Sequence, residues 1–348
     1  MFLRLFSTRR FACGVLTLVG IALTLAACAP TVPLEAPKAL LWPAAPAEPR
    51  IAYLKTISRP EDIGISKGFL RRLADIVFGA NDAHLVRPMA VVAVDGILYV
   101  ADPGAKGVHR FDTRRGNYDL IRLQNDAPLP SPVALARGAD GDVYVSDSAL
   151  AKVFVIRAEA KVASPVNLRA KLGQPTGIAF DSATKRLFVV DTTAHHVNVF
   201  SSDGTLESHI GGRGTAQGQF NYPVFIWRTP QGRLYVTDSL NFRVQSFDEH
   251  GHFIAAFGRL GDGTGDLARQ KGVATDSHGH IYIVDAMFHA VQIFDESGRF
   301  LLSLGALGRE RGEFWLPTGI FIGDDNTIYI ADSYNQRVQI LRYIGEPT

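Results

Sequence analysis

Six aspartates, Asp102, Asp147, Asp191, Asp238, Asp285 and Asp332, each close a short apolar run, as in LYVTD, IYIVD and IYIAD. Asp238 and Asp332 are followed five residues later by Arg243 and Arg337. A carboxylate held near a guanidinium could act as a general acid or base. Imidazoles stand nearby in the sequence: His195 and His196 follow Asp191, and His289 follows Asp285. Two H-x-H pairs, His250 with His252 and His278 with His280, would set both rings on one side of a strand, where they could chelate a metal. Asp262 and Asp266 in GDGTGD have the glycines of a calcium loop without its spacing or terminal glutamate.

The spacing of the aspartates says what must position them. Successive intervals are 45, 44, 47, 47 and 47 residues, which marks a repeat architecture. One unit reads QPTGIAFD, KRLFVVD, HHVNVFSSDG and TLESHIGG: four short runs rich in Val, Ile and Phe, punctuated by Gly, Asp and Ser. Four antiparallel strands, a to d, at this period point to propeller blades; leucine-rich repeats are shorter, and helical repeats would show a 3.6-residue period. The expected fold is all-β, a six-bladed β-propeller with its repeats over residues 87–348. Catalysis rarely needs six copies of one group, whereas every blade must build the same turn. The six aspartates are therefore read as turn carboxylates that accept loop amides or the arginine.

The units LYVTDSLNFRVQSF and IYIADSYNQRVQIL resemble NHL repeats, with their P-x-G-[IV]-A and [LI]-Y-V-x-D-x-x-N-x-R-[IV]-Q-x-F patterns. Blades one and two lack the Asn and Arg. The resemblance implies the six-bladed propeller. An amidating lyase that shares this propeller type carries zinc-binding histidines at the start of strand a. The corresponding positions here are Met89, Val133, Thr176, Val224, Lys271 and Thr318, with no histidine among them. That activity is not carried over, and no cofactor or metal is expected. The G-x-x-G-x-x-x-G-x-F segments between strands d and a also match the family's linkers.

The sixth repeat stops after strand c, while RIAYLKTI (50–57) has the character of a strand d. Borrowing it would complete blade six and remove an open sheet edge. Ser66–Gly79, with Phe69, Leu70, Leu73, Ile76 and Val77 at helical spacing, is expected as one short helix over the loop-rich face.

The N-terminus carries Arg4, Arg9 and Arg10 before an apolar run to Ala27, the layout of an export signal. It ends in LAAC, which resembles a lipobox and implies a signal peptide over 1–27 and lipidation of Cys28. Residues 28–49 hold six prolines and are expected as an extended tether. About 20 such residues at ~3.1 Å each reach ~60 Å. Ala29, which is not Asp, suggests the outer membrane of a Gram-negative envelope by the same resemblance. Three of the 36 Lys and Arg residues lie in the leader, leaving 33 against 34 acids. A near-neutral exported domain has no electrostatic reason to bind nucleic acid. With only Cys13 and Cys28, the mature chain forms no internal disulfide.

The expected function is a lipid-anchored, monomeric binding or scaffold module for an envelope protein, peptide or glycan. Its candidate face holds the six strand-a residues with His195, His196, Phe242, Arg243, His289 and Arg337. The alternative is a hydrolase or lyase acting in the central mouth, in one version with a metal held by His195, His289 or loop carboxylates.

Overall fold

A computed structural model describes residues 39–65 and 83–345. Six antiparallel sheets follow one another along the chain. Blade one holds Ala90–Val94, Ile97–Asp102, Gly107–Asp112 and Asn117–Ile121 as strands a to d. Blade two begins at Pro132–Arg137 and ends in a two-residue strand d, Ser164–Pro165. Blades three, four and five start at Pro175–Asp181, Pro223–Arg228 and Gln270–Thr275. Blade six holds Ile320–Ile322, Thr327–Asp332 and Arg337–Tyr343.

The ring closes as expected. Ile51–Ile57 runs antiparallel to Arg337–Tyr343, with Ile51 opposite Tyr343 and Ile57 opposite Val338. Both isoleucines are fully buried. A feature not foreseen is a fifth strand: Leu41 and Trp42 pair with Ala52 and Ile51. The last part of the proline-rich stretch expected as tether thus lies along blade six. Trp42 sits close to Gly312, where a Cβ would come within 2.5 Å of the indole. Gly312 also has φ +79°, a conformation that disfavours other residues.

Burial explains the strand sequences. Strands b and c in blade five, Ile281–Asp285 and Ala290–Phe294, are buried throughout because neighbouring blades cover both faces. Strand d of blade four, Phe253–Phe257, is the outer strand and largely exposed. The d–a linkers wedge an apolar side chain between blades: Phe220, Leu267 and Phe314 have no exposed surface. Their glycines make room, since a Cβ on Gly211 or Gly305 would lie 2.3–2.4 Å from Phe220 or Phe314.

Among the described residues there is no α-helix, only short 3-10 turns, and no helix long and apolar enough to cross a membrane. The expected helix at Ser66–Gly79 and the lipidation site Cys28 lie outside the described residues.

Candidate functional site

Strands b end and strands c begin on the loop-rich face, which also receives the d–a linkers. Asp238 stands there fully buried. It accepts hydrogen bonds from the Asn221 amide (2.6 Å), Asn241 Nδ2 (2.8 Å), Arg243 Nε (2.8 Å) and Gln245 Nε2 (3.2 Å). Arg243 also donates to the carbonyls of Ala216 and Gln219 in the incoming linker. Asp332 repeats the arrangement with Trp315, Asn335, Arg337 and Gln339.

Blades without the arginine substitute backbone amides. Asp285 accepts from Ala268, Arg269, Met287 and Phe288; Asp147 from Ser131, Ala149 and Leu150; Asp191 from Gly173 and Gln174. In blade one, His109 occupies the position of Gln245 and sets Nε2 3.4 Å from the Asp102 carboxylate. Burial acts to raise the Asp102 pKa, but His109 and the amides of Val86 and Ala105 outweigh it and hold the carboxyl below its ordinary range. These contacts use each carboxylate to join a b–c turn to the linker before strand a of its own blade.

Four residues after each aspartate comes a left-handed position: Lys106, Ala151, His195, Phe242, His289 and Gln336, with φ between 52° and 58°. His195 Nδ1 accepts the Tyr222 amide (3.2 Å), and His289 Nδ1 accepts the Leu316 amide (3.0 Å). Both rings thereby tie one blade to the start of the next. They stand on blades three and five, with blade four between. His196 lies 4.3 Å from His209, centroid to centroid. Burial, then the neighbouring His209, lowers its pKa. On the opposite face, His252 and His280 each bond the aspartate four residues earlier, Asp248 and Asp276. Asp266 is held by Arg259 Nε and the Gly263 amide. Among the described residues no group of three His, Cys, Asp or Glu is arranged to hold a metal ion.

The strand-a ring surrounds the mouth of the channel. Thr318 Oγ1 donates to the Met89 carbonyl (3.0 Å) of blade one. Thr176 Oγ1 meets Thr192 Oγ1 at 2.7 Å, and Thr192 in turn bonds the Pro223 carbonyl. Lys271, the one cation of this ring, has no hydrogen-bonding or ion-pair partner among the described residues. Burial first, then Arg269, depresses its pKa. Around the mouth, Arg87 and Arg269 are exposed, as are Tyr222, Leu240, Met287 and Tyr334. Tyr334 leans on Trp315, whose ring also carries the Arg309 guanidinium at 5.1 Å.

The other face holds what the sequence reading missed. A cavity of about 270 Å³ occupies the axial channel toward the a–b turns, walled by Ala136, Ala179, Ile226, Trp227 and Phe321. Trp227 and Phe321 meet at 5.9 Å, edge to face, and Trp227 Nε1 donates to Thr275 Oγ1 (2.9 Å). At that strand position the other blades carry Val92, Ala136, Ala179 and Ala274. Superposing the six strand-a sequences would have exposed the two aromatic departures. A groove of about 750 Å³ adjoins the cavity at Trp227, Pro230 and Asp324 and passes between the turns of blades four and five.

Comparison with known proteins agrees with this architecture. A family model described as DUF5128, a 6-bladed beta-propeller, matches residues 274–344. No curated protein matches the chain in sequence. Among solved structures, an auxiliary nutrient binding protein from Bacteroides thetaiotaomicron is similar at 11% identity, covering 76% of this chain and 71% of that one, with a TM-score of 0.60. A gluconolactonase from Xanthomonas campestris is similar at 15% identity, over 75% of this chain and 90% of its own, with a TM-score of 0.57. Virginiamycin B lyase from Staphylococcus aureus gives 16%, 74%, 96% and 0.54 for the same measures. At these identities the likeness is one of fold.

Proposed function

We propose that the protein is a lipid-anchored envelope lipoprotein whose NHL-type propeller binds a protein or peptide on its loop-rich face. One observation carries the reading. Leu240, Met287 and Tyr334 are exposed at equivalent turns of three successive blades, on the face that carries Lys271 and Arg269, while the strand-end carboxylates of that face are consumed in turns. Apolar side chains grouped at the surface mark interaction sites, and cations with no acidic partner among the described residues favour an acidic, apolar partner segment. The basic leader, the LAAC sequence and the prolines that follow support a diacylglycerol anchor at Cys28, facing the periplasm from the outer membrane.

The test uses synthetic peptides and the native envelope together. A peptide combining glutamates with leucines binds more tightly than its lysine counterpart, and Leu240→Glu with Met287→Glu removes the difference while the fold persists. Equal binding of both peptides, or capture of a saccharide in place of a polypeptide, overturns the partner class. Cys28→Ser releases the domain into the soluble fraction; continued membrane retention removes the anchor.

Lys271 favours a second reading, a lyase acting through an amine in the mouth, because burial lowers the pKa of its ammonium. Borohydride trapping of an aldehyde on Lys271 would support it, and an unmodified lysine would remove it.

A further inference from the structure

The axial cavity and its adjoining groove lie on the face opposite the proposed docking surface and stand independently of it. Their walls differ in character. The cavity has aromatic and aliphatic side chains along its wall, with Arg137, Arg228 and Ser182 among them, and about 270 Å³ approaches the lower range of small-molecule pockets; a dry cavity of about 150 Å³ already admits a benzene ring. The groove is lined by Asp248, Glu249, Asp276, Glu296 and Asp324, against Arg233 and His278.

Existing pairings decide which charges are left over. The two guanidiniums at the cavity's open end are already neutralised: Arg137 bonds Asp324 at 3.0 Å and Arg228 bonds Asp181 at 2.9 Å. In the groove, Asp276 is satisfied by His280 and Tyr282, and Asp248 by the His250 and His252 amides and the His252 ring. Arg233 reaches Glu296 only at 3.8 Å. Glu249, 3.6 Å from the His250 ring, and Glu296 are 60% and 65% exposed along the groove, so both contacts are long and open to solvent. A negative groove thus continues from an aromatic-walled pocket.

We propose that this two-part site binds a small organic cation carrying an aromatic ring. The ring enters the axial cavity against Trp227 and Phe321, and the ammonium group lies in the groove near Glu249 and Glu296. Trp227 lines both parts and stands at their junction, where an indole can attract a cation. A carboxylate in the same position would meet a groove in which carboxylates outnumber its single guanidinium, Arg233.

Three probes with one ring separate the contributions: tryptamine, indole and indole-3-acetate, titrated calorimetrically into the full folded protein. Tryptamine binds once per chain with Kd of about 1 mM or tighter. Indole binds about threefold more weakly, the scale of one exposed charge contact, and indole-3-acetate more weakly still. Ala136→Leu and Ala179→Leu, made separately, fill the cavity and weaken tryptamine and indole together by about tenfold. Glu249→Gln with Glu296→Gln removes the advantage of tryptamine and leaves indole unchanged; these exposed positions also provide the test if a leucine variant fails to fold. Failure of all three probes to bind overturns the site. Tightest binding by indole-3-acetate overturns the charge assignment, and ring binding unaltered in folded leucine variants overturns the cavity assignment.

Discussion

Arg137 of blade two lies over the ring of Phe321 in blade six, 4.6 Å from its centroid, spanning the end of blade one. On the way its Nε donates to the Ala93 carbonyl of blade one at 2.7 Å, and its Nη1 meets Asp324. One side chain therefore links three blades around the channel. Arg137→Leu should cost about 1 kcal/mol, mostly through the ring contact and the carbonyl bond, because the Asp324 ion pair is largely solvated. Chemical denaturation of this variant beside Asp324→Asn separates the two parts: the asparagine variant should lose little.

The buried Asp238–Arg243 pair is a stronger staple. Asp238→Ala leaves Arg243, only 15% exposed, without its counter-charge and frees the Asn221 amide. A loss of about 3–5 kcal/mol is expected from breaking one side of such a pair. Asp147 is held by amides alone, so Asp147→Ala should cost less, about 1–3 kcal/mol. Equal losses in urea melts would show that the arginine adds nothing to the turn.

Stability should depend on pH through the turn of blade five. The hydrogen bond from His280 to Asp276, with their mutual attraction, raises the His280 pKa against the opposing effect of burial. Burial works to raise the Asp276 pKa, but His280 and Tyr282 hold it below its ordinary value. The histidine contribution is complete below about pH 6.5 and fades as pH rises through its higher folded value. The aspartate contribution is complete above about pH 4 and fades as pH falls through its lower folded value. His280→Gln should lower Tm by a few degrees near pH 5.5 and by less near pH 9. Thermal melts at the two pH values check the order.

Closure of blade six gives a graded series. Ile51→Ala removes a fully buried side chain and should cost about 2–5 kcal/mol. Trp42→Ala removes a half-buried ring and should cost less, about 1–2 kcal/mol. A chain starting after Ile57 exposes the edge of Arg337–Tyr343 and should self-associate, which size-exclusion chromatography reports directly. A monomeric truncated chain would contradict the role assigned to the closing strand.

How much of this was legible depended on periodicity. The aspartate interval and the strand alternation were enough for the propeller, and the missing fourth strand of the last repeat pointed to Arg50–Ile57, of which Ile51–Ile57 forms the strand. Leu41–Trp42 escaped because two residues among prolines show no alternation; only the contact with Gly312 reveals why they dock. His195 and His289 stood among the candidate face residues, and sequence alone does not say that Nδ1 of each ring accepts a backbone amide of the next blade. The aromatic cavity escaped for a related reason. Trp227 and Phe321 look like ordinary apolar members of their own strands, and their meaning emerges only when blades distant in sequence face one axis.

Because Ile51–Ile57 is synthesised well before its partner Arg337–Tyr343, the disc stays unfinished until that later strand has been made. At ~10 residues per second the early strand waits on the order of half a minute for its mate. A chain cut short anywhere before Arg337 retains an unclosed rim, so the ring itself distinguishes finished molecules from fragments and offers the fragments' bare edges to chaperones and proteases.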